Sequence, residues 1–466
     1  MKKFLTIFAS FCAAAVMLFS GCTLFSGPVG EAGQDGQDGL DGRDGKDGTS
    51  VSIYDAYEEL KKTEGNESLT FDEFLKIYLS YSGTQADAAA SLQATMNRSL
   101  MSAVTILTRF KYKSSGLFSS YTYKIFTGSG VVLWADKAAG DAYVVTNCHV
   151  VYDDTSVDSN YISEYVRLYL YGQDVKGTNF SYPDNYSEIN DYGFGINAQV
   201  IGASVTYDIA LLKVTNSDVI KRSDVTAANF SDDEDVYIGE SVYAVGNAAG
   251  EGMSVADGVI SKDSEFISLN LSDANSNASK QYRVMRTTAP INHGNSGGGL
   301  FNTDGKIVGI VNAKDDEADA DNLGYVLPAS YVKRLLKLMY DDYSGHFSMG
   351  VNKAFLGVET TVTDSYARYD SDKGLAVITE ITKVKNVTDS PAFGKLLTGD
   401  IFRNVRIVDS DGNEKENLDV TREYHVRDVM FSVRQGDTVY ITVERLGMQR
   451  EVEIKFNNSA YFKATG

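Results

Sequence analysis

A serine in a glycine-rich loop is the residue best suited to chemistry. Ser296 lies in the run Gly294 to Leu300, which reads GNSGGGL, and the apolar run Lys306 to Val311 follows it. Glycines let a backbone turn tightly and approach another segment closely. A serine hydroxyl is a weak nucleophile at neutral pH unless a neighbouring base removes its proton. The loop therefore predicts a nucleophile that needs a histidine, and that histidine needs a carboxylate to orient it.

Among the four histidines, His149 has the most suitable setting, because it ends an apolar, strand-like run that begins at Tyr143. The matching carboxylate is Asp208, which directly precedes the apolar run Ile209 to Val214. The chain order is then histidine, aspartate, serine. Among unrelated folds that carry this set of residues, that order belongs to the chymotrypsin type.

Each of these residues also has a structural alternative: a strand-end histidine, a turn aspartate and a turn serine. Asp153 and Asp154 are rival carboxylates, but they lack the apolar strand context of Asp208. His293 is a rival base, but it lies on the loop of the nucleophile and is better suited to lining a substrate entrance. The joint occurrence of the three residues in one order favours the catalytic interpretation.

Three blocks resemble the active-site blocks of the HtrA/Deg family of trypsin-like serine proteases. They read TNCHVV at 146–151, DIALLKV at 208–214 and GNSGG at 294–298, and minor blocks at 128–131, 246–250 and 324–328 agree. The resemblance covers roughly residues 95 to 460. It implies a serine endopeptidase in which Ser296 attacks a peptide carbonyl, His149 is the base and Asp208 orients the imidazole.

The same resemblance assigns an oxyanion hole and a substrate pocket. The oxyanion hole is formed by the backbone N–H groups of Gly294, Asn295 and Ser296. The pocket is assigned to Pro290, Ile291, Asn292, Ile310, Val311 and Asn312. The residues just before Ser296 include no carboxylate that could pair with an Arg or Lys side chain. We therefore expect cleavage after small or medium apolar residues such as Val, Ala or Leu, with unfolded or misfolded polypeptides as substrates.

The segment 352–460, after a polar linker at 342–351, resembles a single PDZ domain. It opens with Phe355, Leu356, Gly357 and Val358, and Ser390-Pro391-Ala392 introduces a short helix further on. In PDZ domains a peptide adds as a strand, and its terminal carboxylate meets backbone N–H groups. The resemblance assigns Phe355 to Val358 to that role, with C-terminal peptides as partners. The alternative is a small β domain with no peptide-binding role.

The fold class is expected to be dominated by β structure. From Met101 to Val311 the chain consists of short runs rich in Val, Ile, Tyr and Thr, separated by Gly, Asn and Asp. We predict a trypsin-like double β-barrel protease domain at 98–341 followed by the PDZ domain, a small β sandwich or barrel with short helices. A surface insertion is expected at 152–194. A helix from Pro328 to Tyr340, with Tyr331, Leu335 and Leu338 on one side, closes the protease domain.

The N-terminus has the features of an export signal. Met1-Lys2-Lys3 precedes an apolar stretch from Phe4 to Phe19, and small residues then precede Cys22. This resembles a bacterial lipoprotein signal at 1–21, which implies a lipid on Cys22 and anchoring to the outer face of the cytoplasmic membrane. An ordinary signal peptide or an uncleaved anchor is the alternative. Cys148 would then be the remaining cysteine, and we expect it to be a buried packing residue.

Two segments lie between the signal and the protease domain. Glycine occupies every third position from Gly27 to Gly48, the collagen period, within a spacer at 22–50. The spacer is either a flexible acidic tether or a short trimeric stalk, and the family resemblance implies a homotrimer. Residues 51–97 are predicted to be a helical stalk segment, because Thr70 and Glu73 form a capping box before an apolar face.

The net charge of −20 argues against a nucleic-acid partner, since a phosphate backbone repels an acidic protein. There is no HExxH motif, cysteine cluster or P-loop, so we expect hydrolysis without a metal or other cofactor. A chaperone-like or PDZ binding protein with latent or minor proteolysis is the alternative function. A structural surface protein built around the glycine repeat is a third, which the shortness of that repeat disfavours.

Overall fold

The computed structural model describes residues 61–62, 92–113, 120–173, 195–231, 236–268, 281–314, 324–371 and 374–465. The chain divides into two compact units, residues 1–91 and 92–466. The predicted signal peptide, Cys22, the glycine-repeat spacer and the capping box at Thr70 lie outside the described residues. Helices within the described ranges all fall short of the length and apolar character that a membrane crossing requires.

The second unit begins with helical residues 92–100 and is otherwise built mainly from strands. Its strands, in chain order, are β1 Ala103–Lys113, β2 Tyr121–Asp136, β3 Asp141–Thr146, β4 Tyr165–Leu170, β5 Ile196–Asn197, β6 Gln199–Ser204, β7 Ile209–Val214, β8 Ser241–Gly246, β9 Ser254–Ser268, β10 Gln281–Thr287, β11 Gly299–Asn302, β12 Ile307–Lys314, β13 Gly324–Pro328, β14 Ser348–Met349, β15 Val351–Ala354, β16 Val358–Asp370, β17 Leu375–Val387, β18 Ile401–Val408, β19 Glu414–Asp419, β20 Thr438–Arg445, β21 Met448–Lys455 and β22 Phe462–Thr465. The α-helices are α1 Cys148–Val151, α2 Asp218–Arg222, α3 Ala329–Asp342 and α4 Glu423–Asp428.

Two sheets form the protease part of this unit. The first has eight strands in the order β14-β6-β7-β3-β2-β1-β4-β5, and the second is a closed barrel in the order β10-β13-β12-β11-β8-β9. Strands in the middle of the first sheet are apolar on both faces: in β7 only Lys213 is more than marginally exposed. The predicted β-dominated, trypsin-like fold is confirmed.

Helix α3 packs against this part as the sequence predicts. It begins directly after Pro328, whose fixed φ suits a helix start. Tyr331, Leu335 and Leu338 are all buried, and they join one core with residues of both sheets. Their spacing of three and four residues places them on one side of the helix, as amphipathic periodicity requires.

The C-terminal domain, residues 351–465, has a core of its own. Its main sheet runs β16-β17-β18-β20-β21, with β19 paired to β18, while β15 pairs with β22. Helix α4 and the turn Val429–Phe431 cover the core, which includes Phe402, Ile441 and Phe456. Strand β16 is an edge strand of the sheet. This arrangement is consistent with a PDZ domain.

Two stretches are more ordered than the sequence suggests. Strand β4, inside the expected insertion at 152–194, lies between β1 and β5, because Val166, Leu168 and Leu170 alternate into the core. The expected linker at 342–351 contains β14, which pairs in parallel with β6. The amide of Gly350 extends this contact by donating to the carbonyl of Ala203 at 2.6 Å.

Candidate active site

His149 lies on a short helix rather than at a strand end. Strand β3 ends at Thr146, and α1 begins at Cys148 after Asn147. The Cys148 side chain is 1% exposed and belongs to the core of the first sheet, so the prediction of a buried packing cysteine is confirmed. The His149 side chain remains 35% exposed. The helix therefore buries one neighbour and leaves the imidazole accessible.

Asp208 pairs with His149 through both carboxylate oxygens. Its Oδ2 lies 2.7 Å from His149 Nδ1, and its Oδ1 accepts from the His149 backbone N–H at 2.9 Å. The residue has no exposed surface, and its φ of 49° lies in the left-handed region. Aspartate is among the few residues other than glycine that enter that region readily. Asn147 stabilises the turn by donating from Nδ2 to the Asp208 carbonyl at 2.9 Å.

The pair has a clear electrostatic consequence. Burial alone disfavours the charged imidazolium, but the charge and the hydrogen bond of Asp208 outweigh burial and raise the pKa of His149. An opposite charge within hydrogen-bonding distance favours the protonated form of histidine. His149 can therefore accept a proton more readily than a free imidazole, which is the property required of a general base.

Ser129 holds the loop that carries Ser296. Its backbone N–H donates to the Ser296 carbonyl at 2.8 Å, and its hydroxyl donates to the Gly294 carbonyl at 2.6 Å. The same hydroxyl accepts from the Asn247 N–H at 2.8 Å. Ser129 and Asn247 are both buried. The minor sequence blocks at 128–131 and 246–250 thus meet at the loop, although the sequence did not indicate this role for Ser129.

Two glycines of the loop are required by close contacts. Gly294 has φ of 93°, and a Cβ there would lie 2.2 Å from the Asn247 carbonyl oxygen. Gly297 has φ of 85°, and a Cβ there would lie 2.2 Å from the Ser129 carbonyl oxygen. Any side chain at either position would force the loop away from the strands that support it.

The amides of the loop divide into two groups. The Asn295 N–H donates to the Asn292 carbonyl at 3.0 Å, so it is already committed to a turn. Within the described part of the chain, no carbonyl accepts from the amides of Gly294 or Ser296. Of the three predicted oxyanion donors, Asn295 is therefore engaged in a turn, whereas Gly294 and Ser296 have no backbone acceptor among the described residues.

Asn312 lies beside the pair of His149 and Asp208, not in a pocket wall. Its Nδ2 donates to Asp208 Oδ2, and its backbone carbonyl accepts from the Ser296 hydroxyl at 2.9 Å. Because that hydroxyl carries one proton, it does not donate to His149 here. Ile310 and Val311 have no exposed surface either, since they pack in two separate cores. Ile310, Val311 and Asn312 were all assigned to the pocket, and none of them has exposed surface in this structure.

The assigned pocket residues just before Ser296 differ from one another in exposure. Pro290 and Asn292 are exposed, while the Ile291 side chain is 6% exposed. Ile291 covers Gly324, where a Cβ would lie 2.5 Å from Ile291 Cγ1. Ile291 thus packs inward on strand β13, and Pro290 and Asn292 are the exposed residues of this segment.

The rival residues have other partners. The Asp153 carboxylate accepts from the Tyr112 hydroxyl and from the hydroxyl and N–H of Thr155. Burial would raise the pKa of Asp153, but these hydrogen bonds outweigh it and lower the pKa. His293 is exposed on the loop, and its carbonyl accepts from the Ala249 N–H at 2.6 Å.

The segment assigned to peptide binding lines a groove of about 280 Å³ in the C-terminal domain. Phe355, Leu356, Gly357 and Val358 form one wall, and Lys353, Val426, Met430 and Tyr207 are among the other lining residues. The Phe355 N–H donates to the Tyr461 carbonyl at 2.7 Å. No such acceptor is found for the amides of Leu356 and Gly357 in the part of the chain that the structure covers. Leu356 and Gly357 both line this groove, which lies beside the edge strand β16.

No cluster of three or more His, Cys, Asp or Glu side chains that could hold a metal ion occurs among the described residues.

Comparison with known proteins shows which proteins the chain is similar to. The family described as "Trypsin-like peptidase domain" matches residues 128–310. Serine protease Do-like HtrA of Bacillus subtilis (strain 168) is 32% identical over 245 residues, 52% of this chain and 43% of that protein. Serine protease Do-like HtrA of Lactococcus lactis subsp. lactis (strain IL1403) is 27% identical over 340 residues, 71% of each chain.

A solved structure, HtrA-type protease AlgW with decapeptide, aligns with 78% of this chain and 97% of its own, at 19% identity and a TM-score of 0.45. The chain spans less than half of the Bacillus relative but most of the Lactococcus relative, and both are named as serine proteases. Residues 128–310 thus match a trypsin-like peptidase domain, and the chain is similar to serine proteases of the HtrA type.

Proposed function

We propose that the protein is an extracytoplasmic serine endopeptidase that hydrolyses unfolded or misfolded polypeptides with His149, Asp208 and Ser296. The observation that carries the proposal is the buried Asp208 carboxylate, 2.7 Å from His149 Nδ1, behind an imidazole that stays accessible. That contact stabilises the tautomer with its proton on Nδ1, so that Nε2 can act as the base.

In this reaction the Ser296 oxygen attacks the peptide carbonyl carbon while His149 Nε2 takes its proton. The proton then passes from His149 to the leaving amine, and water repeats the sequence on the acyl-enzyme. The Ser296 hydroxyl must first rotate away from the Asn312 carbonyl, to which it donates at 2.9 Å. The amides of Gly294 and Ser296 are available to the oxyanion. Such a donor is typically worth about 3 kcal/mol in the transition state.

The proposed preference is for cleavage after Val, Ala or Leu. Ile291 lies buried on Gly324 under the loop, and neither the segment Pro290–Asn292 nor strand β13 contains a carboxylate. A long basic side chain would therefore find no carboxylate to pair with in either segment, and an unpaired charge removed from water costs free energy. Apolar side chains of this size are mostly buried in folded proteins, so unfolded chains present more cleavage sites.

The C-terminal domain is proposed to bind the C-terminal segments of peptides in the groove beside β16. The open amides of Leu356 and Gly357 suit a carboxylate, and the unpaired edge of β16 suits an added strand. The sequence features at 1–22 support a lipid on Cys22 and a location on the outer face of the cytoplasmic membrane. Assembly as a homotrimer remains a prediction from the family resemblance.

A second candidate is a chaperone-like binding protein in which proteolysis is latent. One observation favours it: the Ser296 hydroxyl is engaged by the Asn312 carbonyl and not by His149. A site in that state binds polypeptides without attacking them until the serine rotates. Hydrogen bonds between catalytic groups are often absent in unliganded enzymes and form with substrate, so we favour the protease.

The test uses the soluble chain from residue 23 onward, with reduced casein as an unfolded substrate and Ser296→Ala as the inactive control. We expect wild-type cleavage after Val, Ala or Leu, mapped by mass spectrometry, and labelling of Ser296 by a fluorophosphonate. Peptides with apolar C-termini are added in a parallel series. Casein binding without cleavage or labelling, with or without peptide, would support the chaperone-like candidate instead. Cleavage mainly after Arg or Lys would contradict the pocket assignment.

A further inference from the structure

Asn312 connects Asp208 with strand β10. Its Nδ2 donates to Asp208 Oδ2, the oxygen that also faces His149 Nδ1, and its Oδ1 accepts from the Tyr282 hydroxyl at 3.0 Å. A carboxylate only accepts hydrogen bonds, so Nδ2 must face Asp208 and the Tyr282 hydroxyl must donate to Oδ1. All these groups except His149 are buried. Tyr282 therefore fixes the amide that holds the aspartate.

The residue after Tyr282 is anchored in the C-terminal domain. Arg283 is 2% exposed, its Nη2 lies 2.7 Å from Asp428 Oδ2, and its guanidinium stands 4.0 Å above the Tyr424 ring. Adjacent residues of a strand point to opposite faces. Strand β10 thus presents Tyr282 to Asn312 and Arg283 to the C-terminal domain. Because a buried ion pair is costly to break by removing one partner, this contact fixes the strand firmly.

The C-terminal domain also contacts Tyr207, the residue that precedes Asp208. The Tyr207 ring packs edge-to-face against Phe431 at 5.1 Å and against Tyr331 at 5.8 Å, and the latter two rings lie 5.5 Å apart. All three side chains are buried. Aromatic pairs in this geometry are stabilising beyond the area they bury. Phe431 of the C-terminal domain therefore restrains the backbone from which Asp208 projects.

We propose that Asp428 and Phe431 are positioning residues for Asp208. The C-terminal domain holds the aspartate from two sides: Asp428 acts through Arg283, Tyr282 and Asn312, and Phe431 acts through Tyr207. This inference rests on the proposed function, because it requires Asp208 to orient His149. It gives the C-terminal domain a part in hydrolysis even when its groove is empty.

The surroundings of Asp428 determine which variants are informative. Besides Arg283, its charge acts on Lys353, whose pKa burial lowers to about 8 while Asp428 opposes that shift. The buried Tyr207 and Tyr331 hydroxyls also lie in its field. Asp428→Asn therefore leaves two cations without their shared anion and can loosen the whole domain. Phe431→Leu, which changes no charge but removes a ring 3.9 Å from the Lys353 ammonium, provides a second variant.

The experiment measures the pH dependence of kcat/KM with a fluorogenic peptide for the wild type, Asp428→Asn, Phe431→Leu and Tyr282→Phe. In all three variants we expect kcat to fall about fivefold to tenfold while KM is unchanged. A loss of this size corresponds to one well-placed hydrogen bond. In Asp428→Asn and Phe431→Leu the acid limb should also move to lower pH. The reason is that a displaced Asp208 no longer raises the pKa of His149 as strongly.

Two control variants make the same chemical changes elsewhere. Glu416→Gln breaks the ion pair with Arg334, at 3.0 Å, which also joins the protease part to the C-terminal domain but does not involve β10. Tyr243→Phe removes a buried hydroxyl that is bonded to Ser99 at 2.9 Å and not to Asn312. Both controls should keep the wild-type acid limb and a kcat/KM within about twofold of wild type.

Two results would overturn the inference. One is a wild-type profile in folded Phe431→Leu and Tyr282→Phe proteins. The other is an equal loss in Glu416→Gln, which would mean that any contact between the domains has the same effect. Fluorophosphonate labelling separates this failure from failure of the proposed function: if wild-type Ser296 neither labels nor supports cleavage, the protease assignment itself is wrong.

Discussion

Removal of the Ser129 hydroxyl tests how the Ser296 loop is held. The hydroxyl donates to the Gly294 carbonyl at 2.6 Å and accepts from the Asn247 N–H at 2.8 Å, so Ser129→Ala deletes two hydrogen bonds while removing one atom. A net hydrogen bond contributes about 1 kcal/mol, so the loop loses about 2 kcal/mol relative to other conformations. Asn247 is 2% exposed, which leaves its backbone amide no ready replacement from water.

This loss corresponds to as much as a 30-fold decrease in the population of the ordered loop, since each 1.36 kcal/mol is tenfold. The assay is the second-order rate of Ser296 labelling by a fluorophosphonate, measured beside the thermal midpoint of unfolding. Ser102→Ala is the matched control, because Ser102 is also buried and donates one hydrogen bond, to the Ser99 carbonyl at 2.7 Å. The control should unfold at a slightly lower temperature and label at the wild-type rate.

Equal labelling rates in Ser129→Ala and wild type would refute the reasoning, because the loop would then keep its shape without the hydroxyl. A decrease in labelling of the same size in Ser102→Ala would do so as well. In that case the effect would reflect global stability and not the contact between Ser129 and the loop.

Four further predictions concern the catalytic residues, the substrate pocket and the peptide groove. First, kcat/KM should rise with pH as His149 loses its proton. The midpoint should lie above 6.5, because Asp208 raises the pKa of His149. A midpoint at or below 6.5 in a pH–rate profile would contradict the pairing. By the same linkage, the stability that the charged His149 contributes is fully present below pH 6.5 and is lost as the pH rises through the raised pKa. Second, Asp208→Asn should keep the fold by circular dichroism and lower kcat by roughly 10⁴-fold, as in trypsin-type triads; a loss below about tenfold would argue against its role. Third, Ile291→Asp should shift cleavage of a peptide library towards Lys and Arg, whereas an unchanged cleavage profile would remove Ile291 from the pocket. Fourth, peptide affinity of the groove should weaken as the pH rises through about 8, where Lys353 loses its charge, and calorimetry on Lys353→Met should show no such dependence.

The sequence was sufficient to bring His149 and Asp208 together, because their chain order and strand-end settings are read from local pattern. It also predicted a helix from Pro328 to Tyr340, observed at Ala329–Asp342, and its buried face, since amphipathic spacing is a local property. It could not indicate that α1 interrupts the run after Thr146, where a four-residue helix leaves too few positions to show a period.

The contacts missed from sequence all join distant positions. Ser129 and Gly294 are separated by 165 residues, and Tyr282 and Asn312 by 30, so no local pattern connects them. Asn312 was assigned to the pocket by resemblance, yet its side chain turns inward because Asp208 requires a donor there. Strand β14 was missed because two residues carry no periodicity, and its pairing depends on the position of β6.

The left-handed backbone of Asp208 also limits how this protein can change over generations. Of the residues that adopt a φ near 49° without strain, asparagine most resembles aspartate, but it lacks the charge that His149 needs. Glutamate would keep the charge, but its longer side chain would have to fit a space with no exposed surface. Asparagine thus loses the charge, and glutamate loses the fit of the side chain. We therefore expect that neither conservative substitution at position 208 preserves the activity, so mutations there can inactivate the enzyme but do not lead to an equivalent active site.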